Sequence, residues 1–329
     1  MVAPGDSAAV ASRVLGRVLT SERAITVDQS NYSVVVDEEV VVKWLQPSVP
    51  APHPGVELLQ HLARRGFVEM PSYLGCEVAD EFVVALVTEF VPGARDGWDW
   101  FVDEIDDWLR GESSLDGLIG WAARMGELTG RLHDALHDMQ SSTVAARTYY
   151  ALALDRLDDA LRAPATAAAE VARLRALVPK VHAALSPLNS AALLPAHRIH
   201  ADLHAGQFLR AADRLLLTDF DGNPLATGEA RRLPQSPLVD VASMLQAIDH
   251  VGRIAIKRRH PDRVADVERF IGVATDAALD AYRGSRTIAV ELLSALRVAQ
   301  ELHEYCYATR YLPRWLYVPD AALPALLRH

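Results

Sequence analysis

The chain has 329 residues, half of them hydrophobic, with 33 Lys and Arg against 43 Asp and Glu. The net charge of −10 excludes a nucleic-acid binder that works through a basic surface, since phosphate contacts depend on displacing counterions. The apolar half supplies a large core and excludes global disorder. The two cysteines, Cys76 and Cys306, exclude a disulfide scaffold and fit a reducing cytoplasm.

The length suggests two lobes. At the N-terminus, Asp6, Arg13 and Arg17 interrupt any signal-peptide core. Val10, Val14, Leu15 and Val18 keep helical spacing, so an amphipathic helix is expected. No apolar run reaches bilayer length, which points to a soluble cytoplasmic protein with no membrane partner and a small-molecule ligand.

From Ala24 to Leu45 the texture is that of strands. Tyr32 to Val36 and Val40 to Trp44 are β-branched runs separated by Asp37-Glu38-Glu39, a hairpin pattern. A proline-rich loop, Pro47 to Pro54, precedes a helix over Val56 to Arg65. Two further strands are expected at Tyr73 to Val78 and Phe82 to Phe90. The second runs into Val91-Pro92-Gly93-Ala94-Arg95-Asp96-Gly97, where proline and glycine end regular structure.

Beyond Gly97 the pattern is helical. Phe101, Ile105, Trp108 and Leu109 share a helical face, and Leu128, Leu132 and Leu136 recur every four residues. Residues 148–186 are alanine-rich and helical by propensity. A strand-like island follows at Arg198 to Ile199, Phe208 to Leu209 and Leu215 to Phe220. From Leu238 onward the chain is helical again. The resulting expectation is an α+β chain: a small strand-rich N-terminal lobe (1–90), a hinge (91–97) and a larger helical lobe (98–329). Clefts between such lobes are favoured ligand sites.

The chemistry concentrates in the island. His200-Ala201-Asp202-Leu203-His204-Ala205-Gly206-Gln207 is followed by Leu217-Thr218-Asp219-Phe220-Asp221-Gly222-Asn223-Pro224. A loop with an Asp and an amide, then a strand ending in Asp, suits phosphoryl transfer. That reaction needs a carboxylate to orient the attacking hydroxyl, hard oxygen ligands for Mg²⁺, and cations for the phosphates. Chance does not easily produce both segments at this spacing.

These segments resemble the catalytic and metal loops of the aminoglycoside phosphotransferase-like kinases, which have a bilobal protein-kinase-like fold. Gln207 in place of the usual Asn, with the continuation Arg231 to Leu245, is similar to the maltokinase branch and its relatives, the actinobacterial glucosamine kinases. The resemblance implies ATP as phosphoryl donor and Mg²⁺ as cofactor. It implies Asp202 as catalytic base, Gln207 and Asp219 as metal ligands, and Asp221 as an additional one. Lys43 takes the place of the lysine that holds the nucleotide phosphates, with Glu57 (or Glu69) as its ion-pair partner. Glu89 to Ala94, Val91 included, would read the adenine through backbone groups.

Two features depart from the family pattern. Ala201 stands where glycine is usual, and the phosphate-covering hairpin Asp28 to Ser33 has no glycine. Ser30 and Ser33 are therefore its expected phosphate contacts.

For the acceptor, Gln300-Glu301-Leu302-His303-Glu304 lies on a helix that is apolar on most of its circumference. Carboxylates in a buried helix require a cationic or hydrogen-bonding partner, and an amino sugar supplies both. His204, Gln300, Glu301, Glu304 and Trp315 are accordingly the expected acceptor contacts beside Asp202. The expected reaction is formation of glucosamine 6-phosphate, the position being implied by the resemblance alone. Maltose 1-phosphate formation and a catalytically silent nucleotide-binding module are the alternatives.

The competing readings are structural. His133 and His137, four apart, have zinc-ligand spacing, but the metalloprotease Glu is absent and no third ligand suggests itself. Trp98, Trp100 and Trp108 are read first as core packing and only second as a sugar platform.

Overall fold

The computed structural model describes residues 2–25, 32–226 and 228–328. Its residues fall into two compact units, Met1–Arg95 with Leu209–Gly222, and Asp96–Phe208 with Asn223–His329. The break at Arg95/Asp96 lies within the segment read as a hinge. Leu209–Gly222, expected in the helical lobe, groups with the N-terminal unit. Backbone pairing explains this: Arg95 and Arg210 exchange N–H···O bonds of 2.9 and 2.8 Å, and Leu217 N–H donates to the Glu69 carbonyl at 2.8 Å.

The first unit opens with α1 (Asp6–Leu15), followed by β1 (Glu22–Ala24), β2 (Tyr32–Val36), β3 (Val40–Pro50), α2 (Pro54–Arg64), β4 (Tyr73–Ala79) and β5 (Phe82–Glu89). The strands form one antiparallel sheet in the order β1-β2-β3-β5-β4. Valines drive it: Val34, Val36, Val40, Val42 and Val87 alternate onto one face and pack against Ala8, Val10 and Ala11 of α1. β3 runs through the proline segment expected as a loop and ends at Pro50, after a register shift between Trp44 and Val49.

The second unit begins with α3 (Gly97–Arg110), which Asp96 caps by accepting from Trp98 and Asp99 N–H. It continues with α4 (Leu115–Leu136), β6 (Ser142–Ala145), α5 (Ala146–Leu161), α6 (Ala168–Leu185) and β7 (Leu193–Ala196). The alanine-rich stretch is thus two helices, separated around Pro164. β6 pairs with β7, a two-stranded ribbon the sequence pattern did not reveal, and Arg198–Ile199 forms no strand. The hairpin β8 (Phe208–Ala211) and β9 (Arg214–Leu217) follows. Four helices close the chain: α7 (Leu238–Arg258), α8 (Val264–Arg283), α9 (Val290–Tyr311) and α10 (Tyr317–Leu326). Gly126 lets α4 approach α8 closely, since a Cβ there would lie 1.9 Å from the Ala278 carbonyl oxygen. No helix among the described residues is long and apolar enough to cross a membrane.

At the α7–α9 contact a polar knot is sealed in the core. Glu301, wholly buried, accepts from His250 Nε2 at 2.8 Å and from Gln246 Nε2, whose Oε1 in turn accepts from Arg297 Nε at 2.7 Å. Burial opposes charge on His250, but the Glu301 carboxylate overrides it and raises the imidazole to about 9. The folded value exceeds the unfolded one near 6.5, so the stabilisation is complete below ~6.5 and is lost as pH rises through 9. We expect the wild type to lose about 3 kcal/mol across that window, and His250→Gln to lack that part of the slope. Urea midpoints at several pH values between 6 and 10 measure both; parallel curves would exclude a charged His250.

Candidate active site

In the first unit, β3 carries Lys43 with its ammonium 2.6 Å from Asp219 Oδ1 and 2.8 Å from Asp221 Oδ2. Strand register sets Ser33 directly across from Lys43, and Ser33 is buried. Burial alone would depress the lysine, but Asp219 and then Asp221 override it and hold the ammonium above its ordinary range. Asp219 adopts a left-handed backbone, φ +58°, at the turn after β9. Gly55, near the start of α2, lies close beneath this turn. A Cβ there would sit 2.9 Å from the Phe220 carbonyl oxygen and 3.0 Å from Asp221 Oδ1.

The expected partner of Lys43 was Glu57. The structure pairs the lysine with Asp219 and Asp221 instead, and two converging carboxylates outcompete one. Glu57 sits half-buried in the first turn of α2. Glu89 ends β5 and accepts from Ser72 Oγ at 2.8 Å, while the Val91 carbonyl closes a turn with Ala94 N–H. Ser30 lies outside the described residues.

In the second unit the catalytic-type loop hangs from a buried carboxylate. Asp240 of α7, fully buried, accepts from the backbone N–H of His200 and of Ala201, both at 2.8 Å. His133 Nε2–H donates to the same side chain at 3.1 Å, and His133 Nδ1 accepts from the Tyr282 hydroxyl at 3.0 Å. Burial pushes Asp240 up, but His133, His200 and Ala201 together hold it lowered and ionised. His133 is therefore a structural histidine; His137 is exposed and contacts the Asp134 carbonyl.

Ala201 takes a left-handed φ of +67°, and Asp202 follows. His204 Nε2 lies 3.7 Å from Asp202 Oδ2 and 3.0 Å from the Gln207 side-chain amide. Trp98 stacks on His204 (5.6 Å between centroids) and meets Trp315 edge-on (4.9 Å). Trp100 is core: it stacks on Phe101, and its indole N–H donates to the Phe208 carbonyl. Gly97 admits the loop against α3, because a Cβ there would lie 2.2 Å from the Ala205 carbonyl oxygen.

Asp202, Ala201 and Asp240 line a cavity together with Tyr149 and Arg156 of α5 and Gln300 and His303 of α9. Gln300 Nε2 donates to Glu304 Oε1 at 2.9 Å. Glu304 is raised by burial and by Glu301, against the opposing pull of His250 and Gln300. Glu301 itself, expected at the acceptor, is consumed by His250 and Gln246 and does not line the cavity. Its partners were visible in the sequence, four apart on α7. Arg156, His303 and Tyr149 were not singled out; a cation beside Ala153, Leu157 and Ala160 on an otherwise apolar helix face was the signal.

The chain is 39% identical to a glucosamine kinase from Streptacidiphilus jiangxiensis over 326 residues, 94% of this chain and 74% of that protein. It is 39% identical over 320 residues to a glucosamine kinase from Mycolicibacterium smegmatis, 93% of this chain and 79% of that protein. The chain belongs to the glucosamine kinase family. A solved glucosamine kinase in complex with glucosamine, ADP and inorganic phosphate superposes with a TM-score of 0.88 and 36% identity, covering 99% of this chain and 87% of that one. The kinase-like fold expected from the motif therefore holds. No family model matches the chain.

Mg²⁺ fits the donors present. It takes one or two carboxylates and completes its octahedron with water and phosphate oxygens, so a dense protein cage is not required. Among the described residues no cluster of three or more His, Cys, Asp or Glu could hold a metal. Asp219 and Asp221 do converge on one cation, the Lys43 ammonium, and would hold the ion. If so, Asp219→Asn and Asp221→Asn should each raise the Mg²⁺ concentration for half-maximal rate by roughly tenfold, the loss of one charge-assisted contact. A magnesium titration of the rate tests this, and unchanged midpoints in both variants would place the metal elsewhere.

Proposed function

We propose that the protein transfers the terminal phosphoryl group of ATP to the 6-hydroxyl of glucosamine. The observation that carries this is the cavity of the second unit, where Asp202 shares one wall system with Gln300 of the Gln300–Glu304 pair. A carboxylate that takes a hydroxyl proton and a carboxamide whose N–H holds the Glu304 carboxylate thus line one small-molecule space.

The roles follow from chemistry. Asp202 orients the acceptor hydroxyl and takes its proton as the oxygen attacks the terminal phosphorus. His204, stacked on Trp98 and 3.7 Å from Asp202 Oδ2, helps to place that carboxylate. Lys43 holds the nucleotide phosphates, Ser33 lies opposite it, and the Glu89 to Val91 backbone takes the adenine. Asp219 and Asp221 would hold Mg²⁺, which would supply neutralisation of the charge that develops on the transferring phosphoryl group. Glu304, positioned by Gln300, takes the amine, and Trp315 gives an apolar edge beside Trp98.

Two outcomes test the reading. Asp202→Ala should lower turnover, measured as ADP release with Mg·ATP and glucosamine, by about 10²–10⁴-fold while the fold and Mg·ATP binding persist; near-wild-type turnover would sink the assignment. Glu304→Gln removes a charge-assisted hydrogen bond of about 1.5–3 kcal/mol. The specificity constant for glucosamine should fall about ten- to hundredfold, and that for glucose much less. Equal losses for both sugars would show that Glu304 shapes the cavity without reading the amine.

A further inference from the structure

Arg156 is the one Lys or Arg among the described residues of the cavity wall. Among the described residues no carboxylate reaches ion-pair distance of its guanidinium. Glu304 is felt through space, yet its carboxylate is bound by Gln300. The two acids of the same wall are engaged otherwise: Asp240 with three donors, Asp202 beside His204. Burial lowers Arg156, the signature of a charge that has lost water without gaining a counter-ion.

Beside it, His303 is 6% exposed, and its Nδ1 has no hydrogen-bond partner. Burial and the adjacent Arg156 push this imidazole down to about 3, so it stays neutral and offers a hydrogen bond without adding charge. The Tyr149 hydroxyl accepts from Ser236 N–H and keeps its own proton to donate. The Arg156 side of the cavity is thus rich in donors and lacks a counter-charge. An ammonium there would be repelled and a hydroxyl would leave the charge uncompensated; an anionic oxygen would neutralise it.

Resting on the reading of the cavity as an amino-sugar site, we propose that Arg156 and His303 form an anion subsite that binds the phosphate of an amino-sugar phosphate. The Gln300–Glu304 pair takes the amine of the same ligand. Adjacent cationic and anionic receptors match a sugar whose amine and phosphate sit on neighbouring carbons, as in glucosamine 1-phosphate. Its 6-hydroxyl remains free for Asp202. It is therefore a ligand competitive with glucosamine. It is also a second acceptor: the 6-oxygen forms a bond to the terminal phosphorus of ATP, the bridging P–O bond breaks, ADP leaves and the hydroxyl proton passes to Asp202, giving a 1,6-bisphosphate.

Calorimetric titration of the full chain with glucosamine, glucosamine 1-phosphate and glucosamine 6-phosphate, without ATP, tests the subsite. The wild type should bind the 1-phosphate more tightly than glucosamine or the 6-phosphate. Arg156→Met should weaken the 1-phosphate about tenfold or more while glucosamine changes less than about threefold, and Arg156→Lys should retain part of the preference. Equal losses for both ligands in Arg156→Met would overturn the subsite. So would weaker wild-type binding of the 1-phosphate than of glucosamine, a result that needs no variant to fold. A protein that shows the Arg156-dependent preference yet phosphorylates no glucosamine would refute the proposed function and leave the subsite standing. Phosphorylation of glucosamine without that preference would refute the subsite alone.

Discussion

The buried carboxylate of Asp240 fixes the geometry on which the second unit's chemistry depends. It accepts two consecutive backbone N–H groups and an imidazole N–H, and each bond to an ionised acceptor is stronger than a neutral one. Those bonds hold Ala201 in a left-handed conformation that costs a non-glycine residue about 1–2 kcal/mol. Strain of that size persists only where surrounding contacts over-determine the backbone, and here two bonds grip the backbone while His133 fixes the carboxylate that makes them. The reward is the direction of the next residue, Asp202, which the turn delivers to the cavity wall. An alanine where the resembling family usually carries glycine is tolerated for the same reason: the clamp outweighs the methyl's cost.

What the sequence revealed followed contact range. The loop His200 to Gln207 and the turn Asp219 to Asn223 are local patterns, so residue types and spacing exposed both chemistry and family. The valine alternation of β2 and β3 exposed the sheet, and the apolar period exposed α3 and α4. The partners of Lys43 were missed because they lie 176 and 178 residues away, where helix α2 offered a nearer but wrong candidate in Glu57. Glu301 was misread for a related reason. A helix that is apolar nearly all round says its acids are buried, but which neighbour compensates each is decided by packing against α7. β6 and β7 were invisible because four-residue strands some fifty positions apart leave no periodic trace.

Charge compensation separates the structural from the functional among these buried groups. Glu301 and His250 cancel each other inside the core, Gln246 binds the same carboxylate oxygen, and the pair is spent on holding α7 against α9. Around Lys43 the sum is different: one ammonium stands against two carboxylates, an excess of one negative charge that a further cation can satisfy. The cavity has the opposite remainder on its α5 side, where among the described residues no carboxylate reaches Arg156, and behind its α9 wall stands an acid bound by an amide, Glu304. A folded chain keeps an uncompensated buried charge at a cost of several kcal/mol unless something completes it. The residues with unbalanced sums are therefore the ones proposed to meet ligands. The signs of those remainders, negative around Lys43 and of both kinds in the cavity, are those that the proposed metal cation and the proposed amine-and-anion ligand would balance.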